Sequence, residues 1–193
     1  LGYQKRPARL EGLQACAAVG QSRLMAVYQE LFAAHGTQTA QVLLTHADLQ
    51  DHDRHLNARN TLVALLAAGV VPVVNENDAV SFTELTVGDN DKLSALVAAL
   101  LPADLLVLLT TVDGLVRNYG TPNAKVISSV KKIDGPIKKL AGGTQSKTSV
   151  GGMLSKLKAG KIVMRVGIPM LIGNGNLQGV LNKIMAGDPV GTL

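Results

Sequence analysis

Short apolar runs rich in Val, Leu and Ile alternate with longer segments of helical periodicity along the whole chain. This alternation constrains the fold most, because strands separated by helices pair as parallel strands through crossover connections. The predicted strands span residues 39–45, 70–74, 105–110 and 168–172. The predicted helices span residues 8–34, 51 or 53 to 68, 90 or 91 to 100, 133–140, 153–166 and 177–185. The pattern therefore predicts an α/β fold with a mostly parallel sheet covered on both faces, in one domain over residues 1–193.

The composition excludes several classes of protein. Hydrophobic residues make up 47% of the chain and charged residues 17%, a balance that is not typical of a disordered protein. The single cysteine, Cys16, excludes a disulfide framework and favours a reducing, cytoplasmic location. Pro102 and Asp104 interrupt the most apolar stretch, residues 93–112, so that neither half is long enough to span a bilayer. With no signal peptide visible, we expect no membrane association.

Charge is divided unevenly between the two parts of the chain. Residues 1–115 hold 7 Lys or Arg and 12 Asp or Glu, a net charge of −5, whereas residues 116–193 hold 12 and 2, a net charge of +10. This division predicts one subsite for a ligand that carries a cation and another for a polyanion. Lysines that merely crowd the surface of the C-terminal helices explain it too. A nucleic-acid binder that uses the lysine pairs at 131–132 and 138–139 is a further alternative, but only five aromatic residues are available for stacking.

An acidic segment follows the second predicted strand, where ligands bind in parallel α/β folds. Between Asn75 and Asp91 the chain carries five carboxylates, three asparagines and no basic residue. Like charges at this density are costly unless a cation offsets them, which predicts a pocket for an ammonium group or a metal-bound phosphate. Ordinary turn chemistry of Asn, Asp and Gly is the alternative interpretation.

Two further segments are candidates for ligand binding. One follows the third predicted strand, and the other precedes the fifth predicted helix. Thr110, Thr111 and Asp113 could contact a ribose or a base, although a plain loop explains them equally well. A loop over residues 141–152 ends in the pair Gly151-Gly152, and we expect the helix that follows to offer backbone N–H groups to an anion.

Lys156 stands out on that helix. Lys158, Lys161 and Arg165 share one face, which is typical of a solvated stripe, whereas Lys156 falls nearly opposite, on the side of Met153, Gly160 and Val163. An inward-facing lysine beside a glycine that leaves space is poorly explained as surface charge, and a phosphate partner explains it better.

His and Asp residues crowd the segment 46–55 and resemble a metal site at first sight. Because aspartates at a helix start are ordinary capping residues and no H-E-x-x-H pattern is present, we predict helix caps and no protein-bound metal here.

Taken together, these motifs resemble the glutamate 5-kinases of the amino acid kinase superfamily over essentially the whole chain. The segments that carry the resemblance are Ala17-Ala18-Val19-Gly20-Gln21, Leu56-Asn57-Ala58-Arg59-Asn60-Thr61, Asn75-Glu76-Asn77-Asp78-Ala79-Val80, Gly88-Asp89-Asn90-Asp91-Lys92-Leu93-Ser94-Ala95-Leu96, Leu109-Thr110-Thr111-Val112-Asp113-Gly114-Leu115, Gly151-Gly152-Met153 with Lys156, and Val190-Gly191-Thr192-Leu193. Each segment alone is unspecific, but the ordered set is specific.

The resemblance implies a three-layer αβα sandwich and transfer of the ATP γ-phosphoryl group to the side-chain carboxylate of L-glutamate. The product would be glutamyl 5-phosphate, in the first step of proline biosynthesis. By the same resemblance, magnesium (Mg2+) would accompany the ATP and the protein would form a homo-oligomer (a dimer or a tetramer), and we expect no nucleic-acid partner.

The resemblance also assigns roles to residues. Asp78 and Asn90 hold glutamate, Asp91 orients the catalytic lysines, and Lys156 lies on the phosphates. The implied ATP-binding residues are Thr110, Thr111, Val150, Gly151, Gly152, Met153, Leu154, Ser155 and Lys156.

The sequence departs from the pattern of these kinases in three ways. The opening strand, with a phosphate-binding lysine and a Ser-Ser-Gly-Ala stretch, would lie before Leu1, so we expect an N-terminally truncated kinase domain, without the C-terminal RNA-modification-type domain of some members. Thr111 replaces an Asp, and Val150 replaces a Thr. The alternatives are a kinase of N-acetylglutamate, carbamate or a nucleotide, or a ligand-binding fragment without catalysis. The acidic segment favours a substrate with a free ammonium group, which N-acetylglutamate lacks.

Overall fold

A computed structural model describes residues 2–80, 89–142 and 147–193, without the side chains of residues 89, 142 and 147–151. The chain divides into two compact units, Leu1–Thr86 and Val87–Leu193, and each is described below by itself. Each unit contains one pair of parallel strands and the helices next to them, so the predicted α/β class with parallel strands is confirmed. One sandwich domain over the full chain stays a prediction.

The first unit consists of two parallel strands and three helices. In chain order they are α1 (Leu10–Ala33), β1 (Thr39–Leu44), α2 (His46–Gln50), α3 (His52–Ala67) and β2 (Val71–Glu76). β1 and β2 pair in parallel, with Thr39 opposite Val71 and Leu44 opposite Glu76. Leu62 of α3 is completely buried in this unit.

Two features of the first unit differ from the prediction. The helix α2 was missed because it is only five residues long, too short to show helical periodicity. A capping box stabilises it instead: the Thr45 hydroxyl accepts from the Asp48 N–H, and the Asp48 carboxylate accepts from the Thr45 N–H. In addition, β2 continues to Glu76, so Asn75 and Glu76 lie in the strand and not in the polar loop.

The second unit contains the remaining elements. These are α4 (Asp89–Leu100), β3 (Leu106–Thr110), β4 (Val116–Arg117), β5 (Lys125–Val126), α5 (Gly135–Gly142), α6 (Lys147–Arg165), β6 (Met170–Asn174) and α7 (Val180–Ala186). β3 and β6 pair in parallel, with Leu106 opposite Met170, whereas β4 and β5 form a short antiparallel ribbon. The ribbon was not predicted, because two-residue strands are too short to show an alternating pattern.

Helix α6 begins six residues earlier than predicted, at Lys147. Gly151 and Gly152 therefore lie inside the helix and not in a loop before it. Each glycine costs a helix about 1 kcal/mol relative to alanine. Burial of Leu157, Ala159 and Val163 on the same helix outweighs that cost.

Small residues allow α4 and α6 to pack closely. Ala95 of α4 and Ala159 of α6 are both completely buried, in one cluster with Leu108 of β3. Asp91 lies four residues before Ala95, and Lys156 lies three residues before Ala159, so each charged residue shares a helix face with a buried alanine. The packing of the alanines therefore brings these two side chains toward each other.

The segment that ends at Leu193 contacts several parts of the second unit. It forms an antiparallel bridge to β6 between Thr192 and Ile172. The buried Thr192 hydroxyl accepts from the Leu115 N–H at 2.8 Å and donates to the Ile127 carbonyl at 2.6 Å. Gly114 is required beside it, because a Cβ at this residue would lie 2.5 Å from the Thr192 Oγ1.

In the part of the chain that the structure describes, no helix is long and apolar enough to cross a bilayer.

Replacement of Thr192 by valine should lower the free energy of unfolding by about 1–3 kcal/mol, because it leaves the Leu115 N–H and the Ile127 carbonyl without this partner. Urea unfolding followed by circular dichroism measures the loss. Thr192→Ser, which keeps the hydroxyl, is the control and should cost less. Equal losses in the two variants would contradict a role for the hydrogen bonds.

The capping box of α2 predicts a pH-dependent stability. Donation by the Thr45 hydroxyl, helped by the Thr45 N–H and by Arg54, holds the pKa of Asp48 below 3.8 against the opposing effect of partial burial. Because the folded state then binds this proton less tightly than the unfolded chain, the stabilisation is present above pH 3.8 and is lost as the pH falls through the lowered pKa. We expect the free energy of unfolding of the wild type to be about 1 kcal/mol higher than that of Asp48→Asn near neutral pH. This difference should disappear as the pH is lowered. Urea midpoints measured over a pH series test this, and a constant difference down to about pH 2 would contradict it.

Candidate functional site

An ion pair joins α4 and α6 in the second unit. The Lys156 Nζ lies 3.1 Å from each carboxylate oxygen of Asp91. The two side chains are only 13% and 16% exposed, so solvent screens the pair weakly. Lys156 therefore lies on the inward side of α6, whereas Lys158 and Arg165 on the opposite face are exposed.

The outer face of α6 carries further positive charges, which lie beside one another. The side chain of Lys138 on α5 lies beside Lys161, and together with partial desolvation and the charges of Lys138 and Arg165 it lowers the pKa of Lys161. Like charges so placed are tolerated because this face is open to solvent.

Lys156 also lines a cavity of about 620 Å3 in the second unit. Four other residues of the predicted ATP-binding set line the same cavity: Thr110, Thr111, Gly152 and Met153. The end of β3 supplies the threonines, and α6 supplies the glycine, the methionine and the lysine. The carboxyl end of a parallel strand and an inward-facing lysine thus meet at one concave surface, which can take an anionic ligand with an apolar part.

Two further residues of the predicted ATP-binding set are described and do not line the cavity. Leu154 and Ser155 are absent from the lining of this cavity, and the Ser155 hydroxyl bonds to Asp91. The Val150 side chain and Gly151 lie outside the part of the structure described at side-chain level.

Seven lining residues were missed by the sequence analysis. They are Val112, Gly114, Leu115, Val116, Tyr119, Leu140 and Ala141. Most come from the segment that includes β4 and from the end of α5, and they make part of the cavity wall apolar. The aromatic ring of Tyr119 was the one available signal, since the chain has only three tyrosines and two phenylalanines.

Gly160 does not leave space beside Lys156. A Cβ on Gly160 would lie 2.8 Å from the Met170 Cε and 2.9 Å from the Ile133 Cδ1. The ends of these two side chains therefore fill the space beside Gly160, and the expectation of free space was wrong.

The first unit has a small, half-open pocket at the carboxyl end of β2. Residues of α1, Leu43 and residues 76–79, which include the predicted glutamate ligand Asp78, line a volume of about 230 Å3 that is partly open to solvent. The Gln21 side chain accepts from the Asn75 amide at 2.9 Å, and Glu76 is only 7% exposed. The segment around Gln21 and the segment around Asp78, far apart in sequence, therefore meet at one pocket.

The other members of the acidic segment belong to different parts of the chain. Asn90, the second predicted glutamate ligand, is exposed on α4 in the second unit. Glu84 lies outside the described residues, as does the side chain of Asp89.

Several of the His and Asp residues of segment 46–55 take part in helix caps or in other contacts. Asp51 accepts from the Arg54 N–H at the start of α3, and the His55 Nδ1 lies 3.3 Å from the Leu49 carbonyl. His46 lies 3.7 Å from Glu76. Over the described ranges, no three His, Cys, Asp or Glu side chains come together to hold a metal ion.

Comparison with known proteins places the chain in a family. Residues 1–174 match the Amino acid kinase family. The chain is 47% identical over 194 residues to a glutamate 5-kinase of Shewanella oneidensis, of which it covers 52%. It is 48% identical over 196 residues to a glutamate 5-kinase of Myxococcus xanthus, of which it covers 52%. All of this chain is matched in both cases, and it spans about half the length of the curated relatives it matches.

A solved structure supports the fold. The UMP kinase of Bacillus anthracis superimposes with a TM-score of 0.50 at 14% identity, over 81% of this chain and 57% of that protein. At such low identity the similarity concerns the fold alone. The sequence match, the parallel strand pairs and the structural match agree. The chain belongs to the amino acid kinase family.

Proposed function

We propose that the protein transfers the γ-phosphoryl group of ATP to the side-chain carboxylate of L-glutamate, which yields ADP and glutamyl 5-phosphate in the first step of proline biosynthesis. The observation that carries this proposal is the partly buried Lys156–Asp91 pair at a cavity lined by Thr110, Thr111 and Gly152. The names of the relatives, glutamate 5-kinases at 47% and 48% identity, support the choice of substrate.

The chemistry requires mainly positioning and charge. A carboxylate oxygen of glutamate attacks the γ-phosphorus, the bond from that phosphorus to the bridging oxygen breaks, and the electron pair leaves with ADP. Because the carboxylate is already ionised, no general base is needed. The ammonium group of Lys156 would offset the negative charge on the phosphoryl oxygens in the transition state, and Asp91 would hold that ammonium in place.

The cavity suits a nucleotide. Its apolar wall, with Leu115, Val116 and Leu140, would receive the base, and the hydroxyls of Thr110 and Thr111 could bond to the nucleotide. Asp91 already accepts from Lys156 and Ser155, and the described residues offer no cluster of three metal ligands. Magnesium would arrive on the ATP phosphates as part of the substrate, because this ion is commonly held by one or two carboxylates together with substrate phosphates.

Glutamate brings an ammonium group that needs an acidic partner. Asp78 and the buried Glu76 line the pocket of the first unit, and the negative charge of these two side chains supports recognition of an ammonium group there. Asn90 is the second proposed glutamate ligand. A kinase of N-acetylglutamate would have no use for these acidic groups.

We also propose that the protein acts in the cytoplasm as a homo-oligomer, a dimer or a tetramer, without a nucleic-acid partner. Exposed apolar side chains on α1, among them Val27 at 53% and Leu31 at 60%, support self-association. The single cysteine is compatible with a reducing compartment.

Replacement of Lys156 by methionine should lower kcat by roughly 100-fold or more, because the charge that offsets the transferred phosphoryl group is lost. Asp91→Asn should lower it as well, since the ammonium loses its counter-charge. Glutamate-dependent ADP release in the complete natural protein is the measurement.

Lys158→Met is the matched control, because Lys158 is exposed on the opposite face of α6 and should leave kcat unchanged. Activity of Lys156→Met equal to that of Lys158→Met would refute the assigned role. ATP binding without glutamate-dependent ADP release in the wild type would favour a ligand-binding protein without catalysis.

Replacement of Gly152 by alanine should weaken ATP binding by roughly tenfold while the fold is kept. The added Cβ would meet no protein atom within 4 Å, and Gly152 lines the cavity, so the methyl group would occupy space that the nucleotide needs. Calorimetric titration with ATP measures the affinity, and thermal unfolding should show equal or higher stability. Gly20→Ala in α1, which also has open space around it, is the control. An unchanged ATP affinity in Gly152→Ala would place the nucleotide elsewhere.

A further inference from the structure

Ser155 contacts the carboxylate that also binds Lys156, and it does so without lining the cavity. Its hydroxyl donates to the Oδ2 of Asp91, the same carboxylate that accepts from Lys156. The serine is half-buried and does not line the cavity, whereas Gly152, Met153 and Lys156 do. The side chain of Ser155 is therefore directed toward α4 and not toward the space that a nucleotide would fill.

The hydroxyl has a choice of two acceptors. The Ser155 Oγ also lies 2.8 Å from the Gly152 carbonyl, an ordinary contact to the preceding turn of a helix. A hydroxyl carries one hydrogen, and a charged carboxylate is the stronger acceptor of the two. Asp91 is therefore its main partner.

Three hydrogen-bond contacts then act on one carboxylate. The Lys156 Nζ lies 3.1 Å from both oxygens, an arrangement that needs the carboxylate plane to face the ammonium. Rotation of the carboxylate about its last side-chain bond is soft, and a lysine ammonium, as a compact charge, does not fix that rotation well. The Ser155 hydroxyl on Oδ2 supplies the missing constraint.

We propose that Ser155 is a positioning residue that fixes the Asp91 carboxylate and, through it, the Lys156 ammonium. This assigns to Ser155 a role other than ATP contact, and it rests on the proposed function for its kinetic consequence. Its effect should fall on kcat, because the lysine acts on the transferred phosphoryl group, and should leave the KM for ATP nearly unchanged.

The first experiment compares Ser155→Ala, Ser155→Thr and Ser94→Ala in the complete natural protein. Ser94 is the matched control, since its hydroxyl donates to the backbone carbonyl of Asp91 at 2.9 Å and not to the carboxylate. We expect Ser155→Ala to lower kcat by roughly tenfold to a hundredfold, with the KM for ATP within about twofold of the wild type. Ser155→Thr should restore most of the rate, and Ser94→Ala should keep it.

A coupling measurement tests whether the effect passes through Asp91. In an Asp91→Asn background, Ser155→Ala should change kcat by less than about twofold, because the carboxylate that it positions is gone. If Ser155→Ala lowered kcat in the Asp91→Asn background as much as it does in the wild type, the proposal would be overturned. A higher KM for ATP with an unchanged kcat in Ser155→Ala would overturn it too.

A readout without catalysis separates this proposal from the proposed function. Amine labelling of the folded protein, mapped by mass spectrometry with the exposed Lys158 as internal reference, reports how firmly the Lys156 ammonium is held. Ser155→Ala should raise the relative labelling rate of Lys156 by about threefold or more, and Ser94→Ala should not. If Lys156 is labelled faster in Ser155→Ala while the wild type shows no glutamate-dependent ADP release, the positioning role is kept and the kinase is rejected. Unchanged labelling together with an unchanged kcat would reject the positioning role.

Discussion

The contact between the Lys156 ammonium and the Asp91 carboxylate is the interaction on which the site depends. Both groups are mostly buried, and removal of either would leave the other charge poorly solvated. Such a pair is weak evidence for stability, since two well-packed apolar residues would serve that purpose as well. The pair matters for geometry, because it holds an ammonium group at the wall of a cavity, where a phosphate could accept hydrogen bonds from that group.

The position of this pair follows from the packing of two helices. Ala95 and Ala159 carry the smallest side chains that still favour a helix, and their complete burial allows α4 and α6 to approach closely. Each alanine lies about one turn from a member of the ion pair. The same packing that excludes water from the core therefore brings Asp91 within reach of Lys156, and the site is a consequence of the core.

Sequence periodicity predicted the features that repeat over many residues. Helical periodicity predicted the long helix α1 and the inward direction of Lys156, and an unbroken apolar run predicted the strand β3. Periodicity failed where an element is short, as in α2 and β4, or where packing overrides local preference, as with the glycines inside α6. The bond from Ser155 to Asp91 spans 64 residues, and nothing local to either residue specifies it.

Net charge is a poorer guide to the site than burial. The basic part of the chain includes lysines on the outer face of α5 and α6, such as Lys138 and Lys161. It also includes Lys156, whose side chain is directed inward. A charge count weighs all of these equally. Lys138 lowers the pKa of Lys161 on the outer face of α6. Lys156, in contrast, is held by a carboxylate in a region of lower dielectric, where one charge acts more strongly on a phosphoryl group. The chemistry proposed for this protein therefore depends on one partly buried cation and not on the sum of the positive charges.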